Sequence, residues 1–233
     1  MHASIGEGRS FWHPAYMSWL LRYRSACLAV VGLFLVYAWI PFHTRGAFLS
    51  PDETAVAVMA ETLATARDAR TVDFPTEVLL WAHPRSFYLE GQELRSIGFL
   101  GWPLLLAPFA ALWPALLPWV GATLLASAAI PFYKLLRSRV TSSCAVGLGT
   151  AVAFLSPVLV LYGNRGLFPN TAFVALAIWW LWAFSRLRVD RWLLLGGLVV
   201  GLGVLFFIRP PDLLWLLPWI AILFLEKPEQ ERA

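Results

Sequence analysis

The chain has 233 residues, of which 59% are hydrophobic and 14% charged, with a formal net charge of +4 and a mean hydropathy of +0.67. A water-soluble domain of this length cannot cover so much apolar surface with so few charges, so lipid is the expected solvent for much of it. The positive balance sits in short clusters between apolar runs instead of on one basic face, which argues for membrane topology and against nucleic acid as a partner.

Arg22 and Arg24 precede the first apolar run, which begins near Ser25. No small-residue cleavage site follows it, so it reads as a retained span and not as a signal peptide. A bilayer core of roughly 30 Å takes about 20 apolar helical residues. Runs that meet or approach this are 25–43, 115–136, 142–162, 169–185, 191–208 and 211–226. A further run, FLGWPLLLAPFAALWP at 99–114, is apolar but short and carries Pro103, Pro108 and Pro114. If it does not cross, Arg22 and Arg24, the Lys134/Arg137/Arg139 cluster, the Arg186/Arg188/Arg191 cluster and Lys227 all lie on the cytoplasmic side. If it crosses, the last three groups move outside and the positive-inside pattern breaks. Residues 99–114 are therefore read as a re-entrant or interfacial helix. The expected architecture is an all-α polytopic membrane protein with about six transmembrane helices. Both termini are cytoplasmic, the large outer loop is 44–114, and a single module covers 1–233 with a polar tail at 226–233.

In the outer loop, SPDETAVAVMAETLA at 50–64 places Asp52 and Glu53 at a helix start, with Ser50 as N-cap and Pro51 as first helical residue. Glu53 is the expected reciprocal partner of the cap. Val56, Met59 and Leu63 form an apolar face that lies on the membrane surface or against the bundle. Helix rules leave Asp52 open between first-turn dipole partner and functional carboxylate. The following VDFPTEVLLWAHPRSFYLEGQELRSIG has short β-like runs with turns expected at Pro84 and Gly91, and His83 and Arg85 are read as ordinary loop residues.

Beyond the loop, LYGNRGLFPN at 161–170 carries Asn164, Arg165 and Asn170, and FIRPPD at 207–212 carries Arg209 and Asp212. An arginine at a membrane edge can snorkel to headgroups, or a pair can clamp a phosphate through the guanidinium fork. Trp179, Trp180 and Trp182 are assigned to packing and interface anchoring. Cys27 and Cys144 lack CxxC or Cys/His neighbours and are read as small apolar filler. No cluster has metal-ligand spacing, so no metal or other cofactor is assigned.

Taken in order, the PDE acids after the first span, the Pro-rich run IGFLGWPLLLAPFAALWP, ALLPWVGATLLASAAIPFYKLLRSRV, FLSPVLVLYGNRGLFPNTAFVALAIWWLWAF and GGLVVGLGVLFFIRPPDLLWLLPW form one layout. It resembles the N-terminal half of GT-C superfamily glycosyltransferases, the group that includes protein O-mannosyltransferases and lipid A aminoarabinose transferases. The resemblance runs from about Ala26 to Leu225. It implies sugar transfer from a polyprenyl-phosphate donor to an acceptor on the outer face, with inversion by direct displacement. It implies Asp52 as the base, Glu53 as supporting acid and helix cap, and Arg165 and Arg209 on the donor phosphate. Expected partners are the lipid-linked donor, membrane lipids and a second membrane subunit, in the plasma membrane of a bacterial or archaeal cell. The sequence departs from the family in having Asn170 where a second acid is common, and in stopping after the sixth run. A non-catalytic, truncated membrane subunit that binds a lipid-linked substrate or partner is therefore the alternative. A small transporter fits less well, because the charges cluster at the ends of the runs.

Overall fold

Several breaks in the long apolar runs of this chain fall at prolines, although Pro108 and Pro131 sit inside unbroken helices. The computed structural model describes residues 14–44, 50–65, 71–72, 87–90, 93–96, 98–186, 191–218 and 220–221. The first run forms α1 (Pro14–Tyr37) and, after a break at Ala38, the short α2 (Trp39–His43). Pro41 has no N–H to give to the Tyr37 carbonyl and its ring crowds that oxygen, so the helix cannot continue unbroken. The expected span 25–43 is thus two pieces.

Next come α3 (Pro51–Thr65) and three strands, β1 (Thr71–Val72), β2 (Phe87–Glu90) and β3 (Glu93–Ser96). They pair antiparallel in the order β1-β3-β2, with Tyr88 opposite Arg95 and Glu90 opposite Glu93. The β-like runs of the outer loop therefore become a small sheet, and β2 and β3 flank Gly91 and Gln92. The turn expected at Pro84 lies outside the described residues.

The Pro-rich run forms α4 (Gly101–Leu112), followed by a 3-10 turn at Pro114–Leu116 that leads into α5 (Leu117–Arg137). The expected span 142–162 is also divided, into α6 (Ser143–Phe154) and α7 (Pro157–Gly163), bent by 54°. Ser156 caps the second piece by accepting from Leu159 N, and Pro157 takes its first position, so the chain restarts a helix there. Two more helices follow, α8 (Pro169–Arg186) and α9 (Arg191–Ile208). The last expected span, 211–226, opens as a 3-10 helix at Pro210–Leu216, and from residue 222 it lies outside the described residues.

Among the described residues, one helix, Pro114–Arg137, is long and apolar enough to cross a membrane, or two if the bent α6–α7 pair is one span. Arg24–Tyr37, Gly101–Leu112 and Leu195–Ile208 are shorter apolar helices. The helical character expected from the sequence is present, but proline breaks make the pieces shorter than the apolar runs.

The packing gives each helix a direction. Against α5, α8 runs parallel: Gly166 meets Pro118 and Gly121 near one end, Trp179 Nε1 donates to Ser127 Oγ at 3.1 Å midway, and Lys134 meets Trp182 near the other. The contact at Gly121 and Gly166 is so close that a Cβ on either would run into the other strand of backbone. By contrast α9 returns antiparallel to α8, with Trp180 Nε1 donating to Gly197 O at 2.9 Å and Arg209 reaching Asn170. The C-terminal end of α1 reaches the same end, with Phe34 6.4 Å from Trp119 and with Val36 O and Ile40 N bonded to Asn164. One end of the bundle, here the loop end, thus collects the C-terminal ends of α1 and α9 and the N-terminal ends of α5 and α8.

Lying across this end is α4. Its first residue, Gly101, is packed so tightly on Phe207 and Ile208 that no Cβ would fit, and its last residue precedes the short turn into α5. At 12 residues it is about 18 Å long, too short for a hydrocarbon core. Trp102, Leu106 and Ala110 of α4 share one buried cluster with Val56, Ala57 and Ala60 of α3. The apolar face of α3 is therefore turned to the bundle, the second of its two expected placements. A second cluster joins Tyr37 and Phe154 to Leu125 and Ala175. Cys27 and Cys144 are free and exposed, not core filler, because each falls on an outward helix face.

Candidate functional site

The acids of the opening helix part company within one residue. Glu53 N donates to Ser50 Oγ at 3.3 Å, and the Ser50 hydroxyl donates to Glu53 Oε2 at 3.2 Å. The expected capping pair is therefore present, closed hydroxyl to carboxylate. Thr54 adds a second tie, its Oγ1 donating to Ser50 O at 3.2 Å. Glu53 is 2% exposed, whereas Asp52 is exposed. Adjacent helical residues point about 100° apart, so burial of one next to exposure of the other follows from helix geometry.

Arg165 stands in the turn between α7 and α8. Its backbone N–H donates to Tyr162 O at 3.1 Å and its carbonyl accepts from Phe168 N at 3.1 Å. Thr171 Oγ1 donates to Tyr162 O at 3.0 Å, and the Tyr162 and Phe168 rings stack at 5.0 Å. The turn is pinned on two sides, by Gly166 against α5 and by Trp102 Nε1 donating to Leu167 O at 3.2 Å. On this rigid base the half-buried Arg165 side chain has no carboxylate or hydrogen-bond partner among the described residues.

Arg209 is held differently. Its Nε lies 3.0 Å from Asp212 Oδ2, an ion pair without hydrogen-bond alignment, and its Nη1 donates to Asn170 Oδ1. The two side chains of the ion pair are 27% and 23% exposed. Arg209 thereby ties the end of α9 to the start of α8, and an incoming phosphate would share it with groups already in place. Asn170, where the resembled family often has an acid, serves here as an acceptor for that arginine.

Asn164, in the same turn, is 6% exposed and fully engaged. Its Oδ1 accepts from Ile40 N at 2.9 Å, and its Nδ2 donates to Val36 O at 3.0 Å and Val160 O at 2.8 Å. Ile40 N and Val36 O are the pair that would bond each other in an unbroken helix. The amide of Asn164 stands between them and bridges the break that Pro41 imposes. Sequence reading recorded Asn164 only as a polar residue in an outer turn. The signal was a helix-ending Asn beside a proline-broken helix, but nothing local joins the two.

Among the described residues, no hydrogen bond or ion pair joins Asp52 or Glu53 to Arg165 or Arg209. The acids and arginines share the loop end through α4, which packs on α3 along its length and meets both Leu167 and Phe207 at its start. No group of three His, Cys, Asp or Glu among the described residues gathers as a metal ligand set. His83 and Arg85 lie outside the described residues. A recess of about 320 Å³ between α8 and α9, lined by Trp179, Trp180, Gly201 and Leu205, is apolar and sits at mid-length, away from the acids.

Comparison of the chain with protein families, with characterised proteins and with solved structures returned no match.

Proposed function

We propose that this chain is an integral membrane module of the GT-C glycosyltransferase type, with six spans, both termini cytoplasmic and the loop end on the outer face. The observation that carries the reading is the sorting of charge along the bundle. The start of α3, Arg165 and Arg209 belong to the loop end, while Lys134, Arg137 and Arg186 stand at the opposite end of α5 and α8. The placement of α4 across the loop end supports a non-crossing 99–114, and with it the orientation that keeps the basic clusters inside.

In this reading the donor is a sugar on a polyprenyl phosphate. An acceptor hydroxyl attacks the anomeric carbon and loses its proton to Asp52, the exposed member of the acid pair. The bond from the anomeric carbon to the phosphate oxygen breaks, and the leaving phosphate carries away the electron pair. Arg165, fixed by its turn and without a carboxylate partner among the described residues, is the readier of the two arginines to contact the phosphate. Glu53 holds the helix start that presents Asp52.

Asp52→Asn tests the reading in membranes supplied with a polyprenyl-phosphate sugar donor. The amide cannot take the proton, so turnover falls by about 10²–10⁴, while Glu53→Gln, which keeps a capping side chain, loses far less. Full turnover in Asp52→Asn leaves the acid pair as a helix start only.

One observation favours the second reading, a non-catalytic membrane subunit that binds a lipid-linked substrate or a partner. Arg209 is already neutralised by Asp212, as in a scaffold tie. Donor binding without turnover in the unaltered chain would select it.

A further inference from the structure

We infer that the end of the bundle opposite the candidate site holds the phosphate of an anionic phospholipid between Lys134 of α5 and Arg186 of α8. The inference rests on the membrane-embedded part of the reading above. Lys134 Nζ lies 4.9 Å and Arg186 Cζ 5.9 Å from the centroid of the same Trp182 ring. Two like charges from different helices are thus drawn to one indole, against their mutual repulsion. Arg137, one turn on from Lys134, is anchored by donating to Val140 O at 2.9 Å and Thr141 O at 2.6 Å. Among the described residues, none of the three cations has a carboxylate partner.

Helix dipoles explain only part of this. The C-terminal ends of α5 and α8 supply about half a negative charge each, against three full positive charges. Among the described residues no acid offsets the remainder, so the two cations are open to an anion. Its setting selects the kind of anion. Trp182 is held by ring contacts alone, with Trp179 edge-on at 5.7 Å and its own Nε1–H buried without an acceptor. Tyr133, beside Lys134, is exposed, and outward apolar side chains such as Leu148, Leu195 and Val199 stand on neighbouring helices. Cations on interfacial aromatics above an apolar belt match a lipid headgroup whose acyl chains run down the bundle.

The test begins with the full chain in native membranes. Release by alkaline carbonate would defeat the membrane reading itself, whatever the lipid result. With the chain retained, the purified protein in neutral detergent is titrated with phosphatidylglycerol, phosphatidylcholine or inorganic phosphate while its unfolding temperature and bound lipid are followed. Phosphatidylglycerol should raise the unfolding temperature and stay bound, with phosphatidylcholine and inorganic phosphate doing neither. The Lys134→Gln/Arg186→Gln double variant should bind phosphatidylglycerol about thirtyfold more weakly, at about fivefold per cation. Lys134→Arg/Arg186→Lys should retain binding, which separates charge from fold. Equal response to the two lipids, an equal response to inorganic phosphate alone, or undiminished binding in the Gln double variant overturns the inference.

Discussion

At the loop end Glu53 reaches Ser50, Arg209 reaches Asp212 and Asn170, and Asn164 reaches three backbone groups. At the opposite end the Lys134 and Arg186 side chains reach the Trp182 ring and, among the described residues, no acid. At the loop end most of these polar groups are met within the protein, Arg165 being the exception, so much of its geometry is fixed by the chain itself. At the other, no acid among the described residues meets the charge of Lys134 and Arg186. A reactive constellation needs the first kind of end, because positions must hold to a fraction of an ångström. A membrane contact can use the second.

The sharpest way to break this contrast is at Asn164. Asn164→Leu strands Ile40 N–H and the Val36 carbonyl in a buried site, at a cost of about 3 kcal/mol. The expected result is a clear drop in the unfolding midpoint with α1 loosened from α7, read by thermal unfolding and by cross-linking between the two helices. A midpoint equal to that of the parent would mean that water or another donor takes over. A smaller effect is expected at Arg209. Because the Arg209 ion pair is partly exposed, Arg209→Gln should cost about 1 kcal/mol. Asp212→Asn should cost a similar amount, and the double variant should cost less than the sum of the two, since both remove one interaction. In the same measurement Lys134→Gln should cost nothing in neutral detergent, where no anionic lipid is present. A Lys134 loss as large as that at Arg209 would show that both ends are internally closed.

Much of this was legible in the residues themselves. Ser50, Pro51 and Glu53 spell a helix start within four positions, and the cap forms as spelled. Gly91 marks the point between two short strands. Arg209 and Asp212 stand three residues apart in FIRPPD, and they pair. All of these are local. The divisions of 25–43 and 142–162 were missed because apolar length was followed through Pro41 and Pro157. Hydropathy counts a proline as apolar, while the hydrogen-bond ladder counts it as a gap. Asn164 was missed for a different reason. Its partners on the first helix stand 124 and 128 residues away, beyond any pattern of spacing.

That distance also has a meaning in time. A ribosome adds residues from the N-terminus at about 5–20 per second, so Asn164 emerges roughly 6–25 s after Ile40. Until then Ile40 N and Val36 O lack the Asn164 amide that holds them in the finished structure. In the membrane-embedded reading proposed above, hydrocarbon does not tolerate such groups unpaired, so the nascent end of α1 rests near water, or within whatever machinery receives it, until the later hairpin arrives or the two groups pair directly. On that reading newly made chains pass through a waiting period before the first segment is seated, and an amide from the middle of the protein ends it.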